Sequence, residues 1–105
     1  MAWVYILIAG LFEVAWSVCL KLSHGFSSLF YSALTVIGMI ASFYFLAHAL
    51  KHIPLGTAYS VWTGIGTIGA VVAGIVLFGE SVSLIRLVCV GLIVIGIAGL
   101  KLITP

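Results

Sequence analysis

Apolar residues follow one another along this chain with hardly a charged residue between them. Asp, Glu, Lys and Arg are absent from residues 22–50 and again from residues 52–79. A helix that crosses a bilayer needs about 20 mainly apolar residues, so each stretch is long enough for one crossing and a turn. The runs also lack the polar and apolar alternation of a transmembrane β-barrel. The pattern therefore predicts an all-α membrane protein.

Turn-forming residues divide the apolar runs into four transmembrane helices. The breaks are Ser23-His24-Gly25, the Pro-containing segment 51–56, and the segment 79–83. We expect Ser81 or Ser83 to cap the last helix. With no soluble linker between them, the helices form a single transmembrane domain over residues 1–105. Their predicted bounds are about residues 2–21, 29–50, 56–78 and 84–102.

Composition excludes most other classes of protein. Of the 105 residues, 65% are hydrophobic and 6% are charged, whereas a soluble domain has roughly 25% charged residues. A net charge of +2 makes no basic patch for a nucleic acid. Cys19 and Cys89 fall in different helices, and no Cys/His cluster has metal-ligand spacing. We expect a membrane protein that is not an enzyme and has no metal, cofactor or nucleic-acid partner.

The basic residues are balanced across the membrane. In a four-helix chain, Lys51 and Lys101 lie on one side, whereas Lys21 and Arg86 lie on the other. Lys/Arg bias normally sets the orientation of insertion. The equal numbers are consistent with insertion in both orientations. The alternative is that the N-terminal amine or another factor selects one orientation.

Glu13 is the one charged residue inside an apolar run. It lies about 16–18 Å from the start of helix 1, near the bilayer centre. An acidic group at that depth costs at least ~2.5–3.5 kcal/mol on insertion scales. Binding a proton or a cation reduces this cost, so one carboxylate can exchange the two ligands. The alternative is a glutamate that only hydrogen-bonds between helices, but glutamine would do this without the cost of ionisation.

Hydroxyl and aromatic side chains are predicted among the neighbours of Glu13. Trp16 follows Glu13 by one helical turn, Ser42 lies in helix 2, and Tyr59 and Trp62 share one face of helix 3. Such donors can orient a carboxylate, and aromatic faces attract cations. We therefore predict a cation site here. Packing is the alternative role for the aromatic residues.

Helix 3 also carries closely spaced glycines at positions 64, 66 and 69. Gly64, Gly66 and Gly69 could form a hinge for alternating access, or they could allow tight helix packing.

Because one carboxylate per chain makes a poor exchanger, we expect a homodimer. Two nearby acids would then titrate as a pair.

Several segments together resemble the small multidrug resistance family. They are Gly10–Trp16 around the glutamate, Lys21–Phe26 in the first loop, and Ile53–Trp62 leading into helix 3. Trp16 and the segments Trp62–Gly66 and Gly99–Lys101 are similar to the guanidinium-exporter branch of that family. The resemblance covers essentially the whole chain.

The resemblance implies an antiparallel homodimer of dual topology in the lipid bilayer of the bacterial inner membrane. It also implies a proton-coupled antiporter that exports guanidinium and small guanidinyl cations. Glu13 would bind substrate and protons in competition, with Trp16, Ser42, Tyr59 and Trp62 around it. Two alternatives remain open, namely a broad-specificity exporter of quaternary or polyaromatic cations and a non-transporting small membrane subunit.

One detail departs from the family pattern. The family's helix-4 dimer contact often uses two glycines seven residues apart. Gly96 fits the second position, but the first is occupied by Cys89.

Overall fold

The computed structural model describes residues 2–103, and four α-helices cover most of that range. Every helix end lies within one residue of its predicted position. All four helices are long and apolar enough to cross a membrane, with mean hydropathies between 1.8 and 2.2. The helices are α1 (Ala2–Leu22), α2 (Leu29–Ala49), α3 (Leu55–Phe78) and α4 (Leu84–Ile103).

The first loop, residues 23–28, is a compact turn built around the buried Ser23. Its hydroxyl donates to the carbonyl of Leu20 at 2.6 Å and accepts the amide hydrogen of Phe26 at 3.0 Å. His24, Gly25 and Phe26 all have positive φ angles. The serine thus supplies hydrogen bonds that the helix end would otherwise lack.

The third loop, residues 79–83, ends α3 and starts α4. Gly79 has φ 65°, a left-handed conformation that glycine adopts without steric cost. The next amide, of Glu80, donates to the carbonyl of Gly74 at 3.1 Å. Of the two predicted cap residues, it is Ser83 whose hydroxyl accepts the Arg86 amide hydrogen, at 3.1 Å.

Helix α1 lies at the centre of the bundle and packs against α2 and α3. Small residues allow the close approach that membrane helices need. A Cβ at Gly38 would lie 2.8 Å from the Trp16 Cβ, and one at Gly10 would lie 2.5 Å from the Ile65 Cγ2. These glycines therefore set the spacing of α1 from both neighbours.

Helix α4 is the least buried of the four helices. Within residues 2–103 it packs only against α3, and none of its residues is buried. Its contact with α3 includes Ile97, whose Cδ1 would lie 2.6 Å from a Cβ at Gly64. The rest of α4 presents apolar side chains outward, as a membrane-embedded helix can.

Three side-chain contacts show how the ends of the bundle are arranged. Glu80 in the third loop lies 2.6 Å from Arg86 and 3.5 Å from Lys21 at the end of α1. At the opposite end, the Lys101 Nζ lies 5.8 Å from the ring centre of Trp3. Lys51 lies in the loop after α2, at the same end as Lys101. The four basic residues are therefore divided equally between the two ends.

Candidate functional site around Glu13

The Glu13 carboxylate lies near the midpoint of α1 and faces α3. Its Oε2 is buried and has no hydrogen-bond partner among the described residues. Gly66 makes the space for it, because a Cβ there would lie 2.6 Å from the carboxyl carbon and closer still to Oε2. A buried acceptor without a donor is rare in proteins, and a catalytic or ligand-binding role is one of its recognised explanations.

Trp16 lies one helical turn from Glu13, on the same face of α1. Its Nε1 is also buried and unpaired within the described part of the chain. The Cβ and backbone of Trp16 rest on Gly38 of α2. Two unsatisfied polar atoms, an acceptor and a donor, thus lie at neighbouring positions of one helix, and this favours a ligand site over simple packing.

Ser42 and Trp62 form a hydrogen-bonded pair that joins three helices. Ser42 is fully buried, and its hydroxyl donates to the carbonyl of Ala9 at 2.7 Å. The same oxygen accepts the indole hydrogen of Trp62 Nε1 at 2.9 Å. Because both polar groups are satisfied, the Trp62 ring is held in one orientation between α1, α2 and α3.

Aromatic rings extend this pair toward the surface of the bundle. The rings of Tyr59 and Phe43 meet that of Trp62 edge to face, with centroids 5.3 Å and 5.7 Å away. Trp62 is 6% exposed, whereas Tyr59 is 55% exposed. The cluster therefore has one buried member, Trp62, and one exposed member, Tyr59, and it is open on the Tyr59 side.

The predicted site residues thus form two groups. Ser42, Tyr59 and Trp62 come together in one cluster, while Glu13 and Trp16 share a face of α1. Among residues 2–103, no hydrogen bond joins the Glu13 carboxylate to that cluster. Sequence reasoning missed the Ala9 carbonyl, because any residue type supplies that acceptor.

The three glycines predicted as a hinge all lie in close helix contacts. Helix α3 runs without a break through positions 64, 66 and 69. Gly64 accommodates Ile97 of α4, and Gly66 accommodates Glu13 of α1. Gly69 faces Val14 of α1, whose Cβ would lie 3.2 Å from an added Cβ. The structure therefore shows the packing role, and the hinge stays a prediction.

The bundle of spanning helices with a partly buried carboxylate defines a small multi-pass membrane protein, and comparison with known proteins identifies its family. The family model described as Small Multidrug Resistance protein matches residues 1–93. The chain belongs to this family, and it is a multi-pass protein of the bacterial inner membrane.

The chain is also similar to proteins named guanidinium exporter. That of Yersinia pseudotuberculosis is 57% identical over 102 residues, which cover 97% of this chain and 98% of the relative. That of Escherichia coli strain K12 is 57% identical over 104 residues, 99% of each chain. That of Salmonella typhimurium is 55% identical over 102 residues, 97% of each chain.

Proposed function

We propose that this protein exports guanidinium and small guanidinyl cations across the inner membrane in exchange for protons. The observation that carries the proposal is the buried, unpaired Oε2 of Glu13 at the midpoint of a spanning helix. A proton or a cation can neutralise this carboxylate, but both cannot occupy it together. The names of the relatives support guanidinium as the cation.

The chemistry of guanidinium suits these residues. The ion is planar, and one of its edges can donate two parallel hydrogen bonds to a carboxylate. Its flat face can lie against an indole ring. Trp16 offers such a ring beside Glu13, and the Ser42–Trp62 hydrogen bond holds a second ring in a fixed orientation. We assign Ser42 as a positioning residue, because its own hydrogen bonds go to Ala9 and Trp62.

Competition for one carboxylate produces exchange under one condition. If the protein changes the side to which Glu13 opens only when the carboxylate is loaded, each proton carried inward is matched by a cation carried outward. An empty carboxylate would have to cross as a bare charge, which the membrane disfavours. The same neutralisation thus supplies both the binding and the coupling.

We further propose an antiparallel homodimer formed by chains that insert in both orientations. The equal division of Lys and Arg between the two ends supports dual insertion. Helix α4 has no buried residue, and the site is exposed on the Tyr59 side. Both features leave surface that a second copy of the chain could cover. In such a dimer the two Glu13 carboxylates would titrate as a coupled pair.

Purified protein in liposomes tests this function most simply. We expect a pH gradient to drive guanidinium flux in the intact protein and none in Glu13→Gln. The matched control is Glu80→Gln, which changes the other acidic residue of the chain. Because Glu80 lies outside the spanning segments, this variant should keep the flux. An absence of flux from purified protein would favour the non-transporting subunit. Equal flux of large aromatic cations would favour the broad-specificity exporter.

A further inference from the structure

An apolar slot separates the first half of α1 from the last half of α4. It exists because, among the described residues, α4 packs on α3 alone and leaves α1 uncovered. The slot has a volume of about 320 Å³. Its walls include Trp3 and Leu7 of α1, Val61 and Ile65 of α3, and Ile97 and Lys101 of α4.

Lys101 is the charged residue of this slot, and it lies at the membrane boundary. It belongs to the last turn of α4, and its Nζ lies 5.8 Å from the ring centre of Trp3 near the start of α1. Tryptophan and lysine at helix ends are typical of the bilayer interface. The chain has two acidic side chains, Glu13 at mid-helix and Glu80 at the opposite end, where Arg86 and Lys21 already pair with it. Within one chain, therefore, neither acid neutralises Lys101.

We propose that this slot binds one acyl chain of an anionic phospholipid, whose phosphate pairs with Lys101. An apolar slot that opens at the interface beside an unneutralised ammonium group matches the two parts of such a lipid. A zwitterionic headgroup brings its own cation, which competes with Lys101 for the phosphate. The slot should therefore prefer a lipid with net negative charge.

A hydrocarbon chain is narrow and can follow the apolar walls of the slot along α1. Its headgroup would then lie at the end of the slot where Lys101 lies near Trp3.

Quenching of tryptophan fluorescence by brominated lipids tests the proposal, because bromine quenches an indole that it contacts. We would reconstitute the full chain with brominated phosphatidylglycerol or phosphatidylcholine and obtain the Trp3 signal by difference from Trp3→Phe. One unit charge near the surface corresponds to about a fivefold preference for phosphatidylglycerol. In Lys101→Gln the preference should fall to about one.

Two further variants complete the design. Lys51→Gln removes a lysine from the loop after α2 and should keep the fivefold preference, since Lys51 does not line the slot. Leu7→Phe narrows the slot and should reduce quenching of Trp3 by both lipids. The proposal is overturned if Lys101→Gln keeps the preference, if the intact chain shows none, or if neither lipid quenches Trp3.

Discussion

At the scale of single residues, the site combines one satisfied polar group with two unsatisfied ones. Ser42 uses its donor and its acceptor within the protein, whereas Glu13 Oε2 and Trp16 Nε1 have no partner in the described chain. Buried polar atoms that lack a hydrogen-bond partner carry an energetic penalty, which a ligand can relieve. The hydrogen-bonded pair of Ser42 and Trp62 can therefore fix the geometry of the site, and the unpaired Glu13 carboxylate can bind the ligand.

Replacing Ser42 tests this division of roles. Ser42→Ala leaves the Trp62 indole hydrogen and the Ala9 carbonyl without their present partner. A hydrogen bond is worth about 0.5–1.5 kcal/mol net, so guanidinium affinity should fall by up to about tenfold. Titration calorimetry measures the change. Ser32→Ala, which removes only a hydrogen bond to the carbonyl of Ser28 at the start of α2, should bind normally.

An unchanged affinity in Ser42→Ala would show that the orientation of Trp62 does not matter for binding. Size-exclusion chromatography of both variants checks that the fold and the oligomeric state are retained, so that a loss of binding can be assigned to the site.

At the scale of helices, the contact between α1 and α3 depends on Gly66. Gly66→Ala would place a methyl group against the Glu13 carboxylate. Overpacking typically lowers the free energy of unfolding by about 1–3 kcal/mol. Because the methyl group would also displace the carboxylate, guanidinium affinity should fall. Gly56→Ala, in the same helix, should leave affinity unchanged, because the added Cβ would meet no atom of residues 2–103 within 4 Å. Equal affinities of these two variants would contradict the proposed role of this contact.

The third loop should respond to acid through Glu80. The hydrogen bond from Arg86, with help from Lys21, lowers the pKa of this carboxyl below its ordinary value of 4.5. A lowered pKa stabilises the folded state above pH 4.5, and that contribution is lost as the pH falls further. Hydrogen exchange of the loop should therefore differ between the intact protein and Glu80→Gln at pH 7. A difference that persists undiminished at pH 3 would refute this.

The helices themselves could be predicted from the sequence, and their packing could not. The charge-free runs and turn residues predicted all eight helix ends to within one residue of their positions in the structure. The contacts of Gly38 with Trp16 and of Gly10 with Ile65 depend on the relative rotation of the helices, which apolar residues all around a spanning helix do not encode. Likewise, Ser42 was a candidate by its hydroxyl and depth, but its Ala9 partner is a backbone group.

At the scale of the whole molecule, dual insertion is a prediction from the charge balance. In a variant lacking Cys19 and Cys89, a new cysteine at either terminus should react with impermeant reagents added to either side of the membrane. Two or three lysines added to the loop after α2 should lock one orientation and abolish transport when that form is expressed alone. If the protein without added lysines is labelled from one side of the membrane only, dual topology is ruled out.

The central claim is that protons and guanidinium compete for Glu13, and guanidinium binding by the purified protein between pH 5 and pH 9 tests it most directly. Because a protonated carboxyl cannot pair with a cation, we expect affinity to weaken progressively as the pH falls. Glu13→Asp should still bind, with a different pH dependence, and Glu13→Gln should fold and dimerise without binding. An affinity that is independent of pH, or a Glu13→Gln protein that still exchanges guanidinium for protons, would contradict the account.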